Sequence, residues 1–218
     1  MTEPRRRVLR PRDAASLLLV RAVADGTFEV LMGRRHHGHV FMPGAWVFPG
    51  GRVEPSDAAV EPSAPLRPDV AARLARTATP RRARALAVAA VRETFEETGI
   101  LLAPDPVPDT WNRGLRPRLD ALDYVYRAVT PPGAPRRFNT RFFMAEATHA
   151  HGAIRSDGEL EEIAFVPLDE ARKLAALAVT SRVLAEVARL VATPPSPDPH
   201  RPMPVSRWLH GKRRVDVE

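Results

Sequence analysis

Apolar residues in the first quarter of the chain come in short runs interrupted by polar or glycine positions, not at helical spacing. DAASLLLVRA and FEVLMGRR flank Asp25-Gly26, a dipeptide suited to a tight turn, and read as hairpin strands over Leu17–Val23 and Phe28–Arg34. A third short strand, Ala45–Phe48, enters a turn at Pro49, Gly50 and Gly51, where paired glycines permit positive φ and close backbone approach. From Pro80 the pattern becomes helical. RRARALAVAAVRETFEET contains neither glycine nor proline, Thr79 offers a capping hydroxyl, Pro80 suits a first helical position and Gly99 supplies a left-handed terminator, which predicts a helix over Pro80–Thr98.

Strands return at Tyr124–Val129, Arg137–Ala147 and Glu162–Pro167. In RFNTRFFMAEA the alternation puts Phe138, Thr140, Phe142 and Met144 on one face and Asn139, Arg141 and Phe143 on the other. PLDEARKLAAL and TSRVLAEVARLVA read as helices, the second capped by Thr180 or Ser181. The tail from Pro194, TPPSPDPHRPMPV, holds no helix and is expected to run over the surface. There is no internal repeat.

The most concentrated chemistry is in VRETFEETGI. Within the predicted helix Glu93, Glu96 and Glu97 stand at i, i+3 and i+4 and project from one side, with Val88, Val91 and Phe95 opposite. Such a face is either solvated, with Arg92 paired to Glu96, or it holds a metal ion. The carboxylates sit in the last turn, against the negative end of the helix dipole, and a hard divalent cation would reverse that cost. On the residues alone the two readings stand level.

Composition narrows the classes. A chain of 218 residues suits one domain with a sizeable core, and the absence of cysteine excludes disulfides, metal-thiolate sites and thiol nucleophiles. The formal charge of +7 rests almost wholly on arginine, with Lys173 and Lys212 the only lysines. That bias fits a GC-rich coding sequence, so it is discounted as a nucleic-acid signal, although it helps to attract an anionic substrate. RRRVLRPRDAASLLLVRAVA mimics a signal peptide ending at Ala22-Val23-Ala24, but Asp13 and Arg21 crowd its apolar run. No run reaches transmembrane length, and a soluble cytoplasmic protein is expected.

Gly51 together with R-E-T-F-E-E-T-G-I, Arg92 to Ile100, resembles the two ends of the Nudix box of the Nudix hydrolases. That motif is a glycine, five residues, a glutamate, seven residues, then R-E-U-x-E-E-x-G-U with U a bulky aliphatic. Here the box is interrupted by an insertion over about 57–79. Its first glutamate becomes Asp57 counted forward from Gly51, or Arg84 counted back from Arg92, and Thr94 replaces an aliphatic. An interrupted box is similar to the branch related to the peroxisomal coenzyme A diphosphatases. VFPGG, VTPPGAPRRFNTRFFMAEA and LAVTSRVLAEV also look like that branch. A stricter coenzyme A motif is matched at Arg35, Gly44 and Phe48 to Gly51, while Gly33 and Val40 depart from it.

The resemblance implies an α/β fold, a Nudix-type α/β/α sandwich with a mixed sheet, as a single domain over 1–193 followed by a Pro/Arg-rich tail over 194–218. It implies Mg²⁺ or Mn²⁺ on Glu93, Glu96, Glu97 and the Gly51 carbonyl, with Arg92 orienting a glutamate. Glu159, Glu162 or Asp57 is a candidate further acid, and Arg35 and Arg141 are candidate substrate contacts. The implied reaction is hydrolysis of a nucleoside diphosphate linked to another moiety. The best match is coenzyme A or acyl-coenzyme A, giving 3′,5′-ADP and (acyl-)phosphopantetheine. Alternatives are ADP-ribose, NADH or nucleotide sugars, or a non-catalytic ligand-sensing or RNA-binding module. Nucleic acid and membrane are not expected partners, and a homodimer is compatible with the sequence. The insertion, with a short helix over Asp69–Arg76 begun by an aspartate cap, is expected to fold over the edge of the site. HHGH, His36 to His39, reads as a flexible loop rather than a metal site.

Overall fold

The computed structural model describes residues 9–38, 42–104, 110–111, 114–209 and 211–218; His39 and Val40 lie outside them. The strands are β1 (Arg12–Ala22), β2 (Phe28–Arg35), β3 (Trp46–Val47), β4 (Gly50–Arg52), β5 (Asp123–Val129), β6 (Phe138–Glu146), β7 (Leu160–Pro167), β8 (Pro204–Leu209) and β9 (Lys212–Val217). They form one mixed sheet in the order β3-β2-β1-β6-β5-β8-β9, with β4 added to β1 and β7 to β2. β1 runs antiparallel to β2 and parallel to β6. The helices are α1 (Pro68–Ala75), α2 (Pro80–Thr98), α3 (Leu168–Leu174) and α4 (Ala178–Ala192).

Both faces of the sheet are covered. On one side Ala15, Leu17 and Leu19 of β1 and Phe143 of β6 pack with α1 and α2; on the other Leu18, Val20 and Phe142 pack with α3 and α4. A strand buried on both faces reads as a continuous apolar run, which is why SLLLV shows no alternation. The expected α/β sandwich is therefore present, and α2 occupies the predicted span. The Thr79 hydroxyl accepts from the Arg82 N–H at 3.3 Å, and Gly99 closes the helix at φ 75. α4 begins at Ala178, before the anticipated Thr180 or Ser181 cap, and Thr180 is buried in its first turn.

Three strands were not legible as such. β4 is Gly-Gly-Arg, with no strand propensity of its own, and exists because Ala14, Ala15 and Ser16 pair with Arg52, Gly51 and Gly50. β8 and β9 correct the reading of the tail as a surface segment. Pro204 stands at the first position of β8, where a missing donor is tolerated, and Gly211 at φ 75 allows the return to β9. β8 then pairs parallel with β5, burying Met203 and Val205, and the Tyr126 and Ser206 hydroxyls meet at 2.8 Å. Glu218 closes the arrangement on Arg127 at 2.6 Å.

The insertion also differs from expectation. Instead of folding over the edge of the site, α1 packs into the core: Val70 and Leu74 are fully buried, each stabilising the fold by roughly 1.5–3 kcal/mol. Asp69 is not its cap but lies in its first turn, paired with Arg67 at 3.2 Å and with Arg73 at 3.0 Å. Arg73 is 0% exposed and also donates to Asp123 at 2.6 Å and to the Tyr124 carbonyl at 2.7 Å. This network ties the insertion to β5.

Candidate active site

Strand β4 brings the glycine turn against the C-terminal half of α2. The Gly50 N–H donates to Glu97 Oε2 at 2.9 Å, and Gly51 lies so close to Glu93 that an added methyl would overlap its carboxylate. Glycine at 51 thus answers to the approach of Glu93, whose carboxylate would have to shift to admit a larger residue. Gly51→Ala is expected to lower kcat by about a hundredfold, since a misplacement near 1 Å at a reacting site costs that much. Steady-state kinetics on the folded variant check this, and a loss under threefold would mean that the contact does not matter.

Arg92 organises the acidic face. Its Nε and Nη2 donate to the two oxygens of Asp57 at 2.8 and 3.2 Å, Nη2 donates to the Arg52 carbonyl at 3.0 Å, and Nη1 donates to Glu93 at 3.0 Å and Glu96 at 2.8 Å. Asp57 is completely buried and accepts a further bond from the Glu54 N–H at 2.7 Å. Asp57 therefore stands behind Arg92 as its anchor, not in the cleft as a further acid, because both its oxygens are already committed.

Glu97 and, in part, Glu93 are withdrawn from solvent, while Glu96 is exposed and pairs with Arg92. Glu97 is 5% exposed, and burial pushes its carboxyl up to about 8; the Gly50 N–H counters this, while Glu93 and Glu159 add to it. Burial likewise raises Glu93 to about 7 against the opposing charge of Arg92, with Glu96 and Glu159 raising it further. Their proximity to Glu159, on the segment before β7, makes that residue the acid of the DGELEEI stretch that faces the cleft. Glu162 instead pairs with Arg34, and Glu161 stands near Arg34 and His36, outside the cleft. The loop histidines take up local partners: His37 meets Arg34 at 3.0 Å, and His36 accepts from the Gly38 N–H at 2.9 Å.

These groups line a cleft of about 480 Å³ with Arg35, Arg52, Arg136, Phe48, Phe138, Phe142 and Thr140. Arg35 lines this cleft, its charge acting on Glu97. Arg141 does not. It is fully buried on the opposite face of β6, donating to Asp13 at 3.0 Å, to the Asn139 carbonyl at 3.1 Å and to Thr77 at 3.2 Å. The strand alternation already separated Arg141 from Phe138, Thr140 and Phe142. Arg52 was missed by sequence reasoning; its only signal was its place directly after Gly51.

Among the described residues no three carboxylate or imidazole side chains converge into a finished cation cage. Glu93 and Glu96 are held by Arg92, and Glu97 by the Gly50 N–H. The donor set nevertheless fits a hard divalent cation: carboxylates that range from buried to exposed and repel one another beside a half-buried glycine turn, with no soft ligand.

Residues 81–187 match the NUDIX domain family. The chain is similar to the crystal structure of a NUDIX hydrolase from Alicyclobacillus acidocaldarius, at 29% identity over 84% of this chain and 96% of that one, with a TM-score of 0.65. It also shares its fold with the NUDIX domain of Shewanella oneidensis NrtR, solved with ADP ribose, at 12% identity over 83% and 88% of the two chains and a TM-score of 0.50. No curated protein matches the chain.

Proposed function

We propose that this chain, which carries a Nudix domain and is a hydrolase acting on pyrophosphate bonds, cleaves the diphosphate linkage of coenzyme A or an acyl derivative. The observation that carries the chemistry is the meeting of Glu93, Glu97 and Glu159 with the Gly50-Gly51 turn in one arginine-rimmed cleft. The substrate assignment is supported by Arg35, Phe48, Gly50 and Gly51, which resemble the coenzyme A motif and all line that cleft.

Nudix hydrolases generally use divalent metal ions, and here Glu93, Glu96, Glu97 and the Gly51 carbonyl would hold Mg²⁺ or Mn²⁺. Such a cation supplies neutralisation of the diphosphate charge and polarisation of the attacking water. The chain's own groups do the rest. Arg35, Arg52 and Arg136 bind phosphate oxygens, for which guanidinium forks are suited. One carboxylate of the cleft, Glu159 or Glu97, accepts the proton of the water as its oxygen attacks phosphorus. The P–O–P bond breaks, giving 3′,5′-ADP and a phosphopantetheine product. Arg92 fixes Glu93 and Glu96 while Asp57 fixes Arg92.

A screen of coenzyme A, ADP-ribose, NADH, nucleotide sugars and dinucleoside polyphosphates with Mg²⁺ or Mn²⁺ tests the assignment. Coenzyme A or its acyl form is expected to turn over fastest. Faster cleavage of ADP-ribose or a nucleotide sugar would move the substrate elsewhere within the same chemistry. No turnover of any compound would favour a ligand-sensing domain.

A further inference from the structure

A second cavity of about 380 Å³ adjoins the cleft and shares Arg52, Arg136 and Phe138 with it. It is lined besides by Arg10, Arg12, Arg137, Leu9 and Pro135, so guanidinium groups dominate the lining and no carboxylate enters it. Among the described residues Arg10, Arg12, Arg52 and Arg136 donate no side-chain hydrogen bond or ion pair. Other arginines of the chain are paired with carboxylates, Arg82 and Arg141 with Asp13 and Arg84 with Glu61. Four cations gathered at one edge of a groove make a positive field that concentrates anions there.

The groove is also held in shape. The Arg137 guanidinium donates to the Leu9 and Thr130 carbonyls, and the Arg12 N–H donates to the Arg137 carbonyl at 2.8 Å. Arg12 lies opposite Phe138 in the β1–β6 register, and Arg52 opposite Ala14, which fixes two of the four cations to the sheet. The N-terminal arm and the β5–β6 turn are thereby clamped into two facing walls.

We propose that this groove is a subsite for a phosphomonoester carried by the substrate at a distance from the scissile diphosphate. The proposal rests on the diphosphatase reading above and sharpens it. A phosphomonoester dianion presents three acceptor oxygens and takes guanidinium groups pairwise. A substrate whose nucleoside half bears such a group would lay its diphosphate over the glutamates and its extra phosphate against Arg10 and Arg12, with Arg52 and Arg136, which line both spaces, between the two. Substrates lacking it would leave the groove unanswered.

The test compares coenzyme A with 3′-dephospho-coenzyme A in the wild type and in Arg10→Gln/Arg12→Gln, two exposed positions remote from the core. The wild type is expected to favour the phosphorylated compound through KM by roughly tenfold or more, the worth of one charge-assisted contact. In the double variant the ratio of the two KM values should collapse toward one. Equal KM values in the wild type, or a preference retained by the variant, would overturn the subsite while leaving the diphosphatase intact. If neither compound is cleaved, the substrate assignment fails by itself. Calorimetric titration with adenosine 3′,5′-bisphosphate and with AMP then decides the subsite: tighter binding of the bisphosphate, abolished by the double substitution, supports it, and equal binding refutes it.

Discussion

Changing Glu97 to glutamine is expected to lower kcat by about a thousandfold, the rate equivalent of several kcal/mol of lost charge stabilisation. The folded protein should be no less stable. Glutamine keeps an oxygen to accept the Gly50 N–H, and it replaces a carboxyl whose charged form is disfavoured by burial, by Glu93 and Glu159 and by the negative end of a helix. The two effects point in opposite directions, which separates a metal-holding residue from a structural one. Mg²⁺ or Mn²⁺ should raise the melting temperature of the wild type more than that of the variant, because only a ligand that prefers the folded state stabilises it. Chelation should abolish both the activity and the difference in melting. Near-wild-type turnover for glutamine at all of 93, 96 and 97 would remove the cation from this account.

The second large effect lies far from the cleft. Arg73→Leu should destabilise the fold by about 3 kcal/mol, since it leaves buried carboxylates short of a partner. For a chain of this size that is a fall in melting temperature of about 10 °C. Asp69 keeps Arg67, and Asp123 keeps Arg201 at 2.8 Å, so the loss stays at the lower end for a broken buried network. At a temperature where the variant remains folded its KM and kcat should match the wild type, because α1 contributes nothing to the cleft lining. A melting temperature within 2 °C of the wild type would show that Arg67 and Arg201 suffice alone.

Arg73 also illustrates what the sequence did not disclose. Within DVAARLAR its i,i+4 pairing with Asp69 is local, but its burial is completed by Asp123 and the Tyr124 carbonyl, both brought up by β5. Asp57 and Arg92 are separated by the whole insertion, so their pairing is a product of tertiary structure; counting along the motif suggested Asp57 without showing that it serves Arg92. By contrast α2 was legible to its ends because Thr79, Pro80 and Gly99 act locally, and so was the direction of its three glutamates. Arg141 could have been set aside from the alternation of β6 alone. The two C-terminal strands were obscured by prolines, which speak against helix and say little about a strand that begins just after them.

The placement of β1 bears on how the protein is made. Its turn at Asp25-Gly26 lets it pair early with β2, but its other edge waits for β6, where Arg12 lies opposite Phe138. Until that distant segment leaves the ribosome, SLLLV has an open edge and an uncovered face. Such long-range parallel pairing folds slowly and leaves an aggregation-prone edge in the interval. Since β4 is held to the same strand, and Phe138, Thr140 and Phe142 form part of the cleft wall, the cleft is a late product of synthesis. A nascent chain released before β6 therefore has the acidic helix but no cleft for it to face.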